Sequence, residues 1–192
     1  MAKNIVICCD GTGNEFGDNN SNVIKLYHTL IIGKSQIGYY HPGVGTMGAP
    51  GARTWLQKEL SRVGGLCFGM GFLSNIEDAY RYLMDTYDEG DNVFLLGFSR
   101  GAYTVRALAS VLHMYGLLRP GNDELIRYII RMFAKSSRKA RGLKNTFDVA
   151  QNFKSTLSRD CPIHFVGFGT RSARSVGSMI QSFFPIRRAI QA

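Results

Sequence analysis

One stretch of this chain leaves little freedom to the rest. Asn92-Val93-Phe94-Leu95-Leu96-Gly97-Phe98 is a near-continuous apolar run, as expected of a strand buried on both faces of a parallel sheet. After Ser99 the period changes at once. Ala102, Val105, Leu108, Val111, Leu112 and Tyr115 recur at three and four residues, the spacing of one helix face. A strand that becomes a helix with no loop between them must bend sharply, which strains the residue at the apex and crowds its neighbours. In Gly97-Phe98-Ser99-Arg100-Gly101 the two glycines remove the side chains that would collide.

Gly-x-Ser-x-Gly is a weak pattern by itself, and its setting gives it meaning. A strand, a tight bend and a helix present a serine hydroxyl at the carboxyl edge of the sheet, beside a helix amino end. We therefore expect Ser99 as a nucleophile, with Gly97 and Gly101 as the glycines of its elbow. The Arg100 backbone N–H, aided by the helix dipole, is the expected first donor to an oxyanion. A second donor ordinarily comes from a loop after an earlier strand. Ile5-Val6-Ile7-Cys8-Cys9 reads as that strand and Asp10-Gly11-Thr12-Gly13-Asn14 as its loop, so Gly11 and Thr12 are the candidates.

The rest of the chain alternates in the same way. Asn22 is placed to cap a helix carrying Val23, Leu26, Tyr27 and Leu30. Gln36 to His41 reads as a strand, followed by Pro42-Gly43-Val44-Gly45-Thr46. Residues 47–73 are glycine-rich and read as irregular, with a short helix around Trp55 to Leu60. Ser74 or Asn75 is expected to cap a helix with Ile76, Ala79, Tyr80, Leu83 and Met84 on one face. Gly116 fits a helix stop, Glu124 to Phe133 and Phe147 to Leu157 read as helices, and Pro162 to Gly167 as a last strand. Strands alternating with helices predict a three-layer α/β sandwich around a mostly parallel sheet.

Composition excludes several functions. At 192 residues the chain suits one domain, and 45% hydrophobic against 19% charged residues is globular. The net charge of +9 is unevenly spread. No acid follows Asp160, whereas Arg171, Arg174, Arg187 and Arg188 do, and Lys135, Arg138, Lys139, Arg141 and Lys144 cluster. Solvated loops explain this better than a nucleic-acid surface. Cys8, Cys9, Cys67 and Cys161 form no C-x-x-C pair, so neither metal nor disulfide framework is expected. No cofactor fingerprint is complete. Gly33-Lys34-Ser35 has His28 where a P-loop needs glycine, and Gly43-Val44-Gly45 lacks the third glycine of a dinucleotide site. A haloacid-dehalogenase-type phosphatase would need Asp where Cys8 stands. With neither a signal peptide nor a membrane-length apolar run, the expectation is a protein cytoplasmic where it is made.

The triad does not close on paper. A hydrolase of this design runs Ser, then Asp or Glu, then His. His113 lies mid-helix and His164 opens a strand, at the sheet edge opposite Ser99, while His28 and His41 precede the serine. Gly167-Phe168-Gly169-Thr170-Arg171 ends the last strand without a carboxylate.

Four motifs together resemble a known family. They are Cys9-Asp10-Gly11-Thr12-Gly13-Asn14, Tyr40-His41-Pro42-Gly43-Val44-Gly45-Thr46, Gly97-Phe98-Ser99-Arg100-Gly101-Ala102-Tyr103 and Gly116-Leu117-Leu118-Arg119-Pro120-Gly121. They are similar to the α/β-hydrolase family that includes the catalytic domains of type VI secretion phospholipase effectors. The resemblance implies an α/β-hydrolase fold and acyl transfer from lipid esters by Ser, Asp and His, of which the Ser carries over to Ser99. It implies a lipid or other ester substrate and no cofactor. It also leaves room for peripheral membrane contact, a secretion-system partner and export by that route.

The family continues its strand as V-W-D-T-V-x-S-V-G, and the resemblance implies the triad acid in that Asp. This chain instead reads Phe168-Gly169-Thr170-Arg171-Ser172-Ala173-Arg174-Ser175-Val176-Gly177. Codons for these ten residues can be chosen so that a shifted frame spells W-D-T-V-S-S-V-G. The expectation is a one-nucleotide frameshift near residue 167. It divides the chain into a partial catalytic domain, 1–167, and a divergent basic tail, 168–192, without native structure. The sheet would then lack its C-terminal strands, and the hydrolase would be inactive as truncated. The alternative is a non-catalytic binding module or an inert fragment.

Overall fold

The computed structural model describes residues 2–11, 21–43, 67–136 and 143–169. In chain order the elements are β1 (Asn4–Cys9), α1 (Asn22–His28), β2 (Gln36–His41), α2 (Cys67–Thr86), β3 (Asn92–Phe98), α3 (Arg100–Tyr115), β4 (Leu117–Leu118), α4 (Asp123–Ser136), α5 (Leu143–Leu157), β5 (Ser158–Arg159) and β6 (Ile163–Gly169). Four strands make one parallel sheet in the order β2-β1-β3-β6.

β1 is central, and every residue from Ile5 to Cys9 is buried. Its alternation divides the interior. Ile5, Ile7 and Cys9 join Ile76, Tyr80, Leu83, Val93, Leu95, Val105 and Leu108 in the main core, beneath α2 and α3. Val6 and Cys8 point the other way, with Val23 of α1 and with Phe94, Leu96 and Phe98 packed against them. Helices on both faces of a parallel sheet are the three-layer, α/β-hydrolase-like arrangement expected. Among the described residues the second face is covered by α1 alone, a helix of seven residues. Val6, Leu26, Leu30, Phe94, Leu96 and Phe165 line an open apolar cleft beside it.

The amino edge of the sheet is tied by polar cross-links. Asp91, buried just before β3, accepts the Lys3 backbone N–H at 2.8 Å and the Asp88 N–H at 2.9 Å. Lys3 Nζ also lies within salt-bridge distance of both Asp88 and Asp91. Burial alone would disfavour a charged Asp91, but the Lys3 and Asp88 bonds reverse the sign and hold its carboxyl below the usual value. Asn92 Nδ2 donates to Asn4 Oδ1 at 3.2 Å across β3 and β1.

Several boundaries differ from expectation. α1 is capped by Ser21, whose hydroxyl accepts the Ile24 N–H, and Asn22 is the first helical residue. α2 begins at Cys67, so Ser74 and Asn75 lie inside it and cap nothing. Gly69 and Gly71 made its start look irregular. Their cost of about 1 kcal/mol each is outweighed by a long face that buries Ile76, Ala79, Tyr80, Leu83 and Met84. β4 and β5, an antiparallel pair of two residues each, are too short to show a period. β6 runs to Gly169, past the expected boundary at residue 167. The helix expected around Trp55 to Leu60, Thr12 to Asn14, Arg138 to Arg141 and the 170–192 tail lie outside the described residues.

Candidate active site

Ser99 is the apex of a bend that few residues tolerate. Its φ is 54° and ψ −117°, and among the described residues it alone has a positive φ without being glycine. A serine before a helix ordinarily caps it, but the Ser99 side chain makes no capping bond. The residue is exposed, so its hydroxyl is presented to solvent rather than spent on the helix.

The neighbours make this bend possible by lacking side chains. A Cβ on Gly97 would sit 2.5 Å from the Gly101 carbonyl oxygen, and one on Gly101 only 1.9 Å from that of Cys9. The amino end of α3 is therefore pressed against the carboxyl ends of β1 and β3, backbone to backbone. The Ser99 N–H donates to the Gly169 carbonyl at 2.9 Å, which fastens β6 to the same bend. Arg100 opens α3, where a first-turn N–H meets the positive end of the helix dipole.

The loop after β1 comes to the same place. A Cβ on Gly11 would lie 2.9 Å from Ser99 Cβ and 3.4 Å from its Oγ, so Gly11 is a wall of the site. The Gly11 N–H, however, donates to Asp10 Oδ1 at 2.7 Å. That amide is engaged within the Asp10 network. Asp10 is 1% exposed. Its Oδ2 accepts the Tyr40 hydroxyl at 3.0 Å and the Ser21 hydroxyl. Burial and then the Asp10 charge raise the Tyr40 phenol above its ordinary value, which keeps it a donor. Gly43, at φ 82°, closes over this loop, where a Cβ would meet the Asp10 carbonyl oxygen at 2.8 Å.

His41 ends β2 on the same sheet edge as Ser99, although its place in the chain argued against a catalytic role. Both its nitrogens are engaged: Nδ1 accepts the Gly43 N–H at 3.0 Å, and Nε2 lies 3.7 Å from Asp78 Oδ2. His164 lies at the amino end of β6, its ring 5.0 Å from that of Phe94. His113 is in the last turn of α3 and His28 in that of α1. Neither His41 nor His164 is directed at Ser99. Burial pushes the Cys8 thiol up to about 12, and Cys9 is raised further by burial and the neighbouring Cys8 and Asp10. Both are inert thiols at neutral pH. No cluster of three or more His, Cys, Asp or Glu that could hold a metal occurs among the described residues.

The profile of the family described as "T6SS, Phospholipase effector Tle1-like, catalytic domain" matches residues 3–183. The chain belongs to this family. Among curated proteins it is similar to "Uncharacterized protein YEL023C" of Saccharomyces cerevisiae, at 35% identity over 194 residues. That alignment covers 95% of this chain and 28% of the relative, so the chain spans under a third of the relative's length. No solved structure matches it. Membership places the elbow and its loops in a phospholipase-type hydrolase family. Among the described residues no helix is long and apolar enough to cross a membrane.

Asp10 and His41 are the residues that sequence reasoning left without a role. The available signal was positional: each follows or ends a strand that reaches the carboxyl edge, where α/β sheets gather their chemistry.

Proposed function

We propose that Ser99 is the nucleophile of a phospholipase-type acyl-transfer site, and that the described residues hold its nucleophile half without its acid–base pair. The backbone of Ser99 carries this reading. A non-glycine residue at φ 54° costs on the order of 1–3 kcal/mol and persists where the surroundings impose it, characteristically at working sites. Ser99 Oγ would attack the carbonyl carbon of a lipid ester, its proton passing to a base. The Arg100 and Thr12 backbone N–H groups would hold the oxyanion of the tetrahedral intermediate, which would expel the alcohol as its C–O bond breaks and leave an acyl-enzyme that water then hydrolyses. Elbow and wall are in place, whereas base and acid would come from chain beyond the described residues. The described residues are then inactive or nearly so by themselves, and a frameshift near residue 167, inside the profile match that runs to residue 183, would account for the missing acid. The coding DNA tests that point, since the shifted frame must be open and must spell the missing acid. Synthesis in the cytoplasm, export by type VI secretion and peripheral contact with a lipid surface belong to the same reading.

A missing base can be supplied from solution. With a fluorophosphonate probe, the Ser99 Oγ–P bond forms, the P–F bond breaks, fluoride leaves and imidazole takes the hydroxyl proton. The expected outcome is slow labelling that imidazole accelerates and that Ser99→Ala abolishes. A folded chain that stays unlabelled with imidazole present would instead be a binding module or an inert fragment.

A further inference from the structure

Asp10 poses a problem for any oxyanion site. A carboxylate that bonds to Gly11, itself packed on Ser99, puts negative charge close to where another negative charge must develop. Coulomb repulsion works against the reaction, so Asp10 does not assist by its field. Yet it is buried, and among the described residues three donors from three separate segments converge on it: the Gly11 amide, the Tyr40 hydroxyl of β2, and the hydroxyl of Ser21, which also caps α1.

What this arrangement supplies is direction. Hydrogen bonds to an ionised group are short and roughly twice as strong as neutral ones. Here they fix the first peptide after β1 from three sides. The Asp10 N–H donates to the His41 carbonyl at 2.8 Å, and Gly43 closes on the Asp10 and Gly11 carbonyls from the β2 side. Gly11 is thereby held against Ser99 from behind, with no side chain of its own to hold it. We propose that Asp10 is the positioning residue of this site: through Gly11, it sets the wall against which the Ser99 hydroxyl works. The proposal rests on Ser99 as nucleophile. Asp10 acts through Gly11 and does not itself meet substrate.

Position and charge predict opposite signs, which makes the idea testable. Asp10→Asn keeps the size of the side chain and an acceptor for Gly11, but it removes the charge and turns one acceptor into a donor facing two hydroxyls. If Asp10 mattered only by its charge, the variant would react faster. As a positioning residue its loss slows the reaction, on the order of tenfold, the scale of a sub-ångström misplacement. The measurement is the imidazole-assisted rate constant for fluorophosphonate labelling of the full chain, read together with the fraction finally labelled.

The expected result is a lower rate constant at full final labelling in Asp10→Asn, and a smaller fall in the same direction in Tyr40→Phe. A rate constant equal to or above wild type, or a loss confined to the labelled fraction, overturns the proposal and leaves Ser99 as nucleophile intact. Should Asp10→Asn not fold, an unchanged rate constant in Tyr40→Phe overturns it alone. A wild-type chain that never labels overturns both readings.

Discussion

The two edges of the sheet are built from the ends of the same strands by opposite means. At the amino edge, polar side chains cross-link the strands: Lys3 with Asp88 and Asp91, and Asn4 with Asn92. Around Ser99 at the carboxyl edge, side chains are withdrawn, with the Asp10 network behind them. Gly97, Gly101, Gly11 and Gly43 let backbone touch backbone, and the residue at the centre, Ser99, is in a strained conformation. One edge holds the sheet together, and the other gives up local stability to present a hydroxyl. Each substitution below asks whether that division is real.

The largest effect is expected at the carboxyl edge. In Gly101→Ala the new methyl would stand 1.9 Å from the Cys9 carbonyl oxygen. The obstacle is central-strand backbone, which has no rotamer to adopt, so either α3 or β1 must move. Overpacking of this kind costs about 3 kcal/mol or more. Gly33→Ala is the control, because a methyl there would meet nothing within 4 Å and its cost should be near zero. Urea unfolding of the two variants compares them, and equal midpoints would mean that α3 does not press on β1.

The amino edge comes next. Asp91→Ala leaves the Lys3 and Asp88 amides without their acceptor and the Lys3 ammonium with Asp88 alone. Stranding part-buried donors costs about 2–3 kcal/mol. The sign with pH follows from the depressed Asp91 carboxyl. Its unfolded value is the ordinary 3.8, so the contribution is complete above that pH and is lost as pH falls below it, through the lower folded value. Wild type should therefore lose stability more steeply with acid than Asp91→Ala, and the two should converge at low pH. Parallel acid profiles would remove Asp91 from the clasp.

This division was only partly readable in the sequence. β1 was legible because a strand buried on both faces is apolar throughout, β3 because its run is near-continuously apolar, and a change of period from strand to helix at Ser99 is hard to mistake. The elbow glycines were legible for the same reason, since their spacing is the bend. The Asp10 network was not, because it joins Asp10, Ser21 and Tyr40 across a strand crossover that gives no periodic signal. The direction of the Gly11 amide is a matter of one peptide's rotation, which a motif does not encode. His41 was set aside by chain order, yet the β2-β1-β3 arrangement brings it to the edge that carries Ser99. The start of α2 was hidden by glycines whose penalty the core face outweighs.

The smallest effect is the most telling. Ser99→Ala and Ser99→Gly both remove the hydroxyl, and both should abolish labelling. They differ in the backbone. Alanine keeps a Cβ and so keeps the cost of φ 54°, whereas glycine adopts that conformation freely but loses more entropy on folding. The relief exceeds the entropic loss, so Ser99→Gly should be more stable than Ser99→Ala by about 0.5–1 kcal/mol. Elsewhere on a helix end a serine-to-glycine change gains nothing of this kind, because a capping serine contributes a hydrogen bond that Ser99 does not make. Chemical denaturation of the two variants side by side reads the difference directly. If Ser99→Gly is no more stable than Ser99→Ala, the bend is not strained. The carboxyl edge would then differ from the amino edge in composition alone, and the case for Ser99 as a nucleophile would rest on family membership without its structural support.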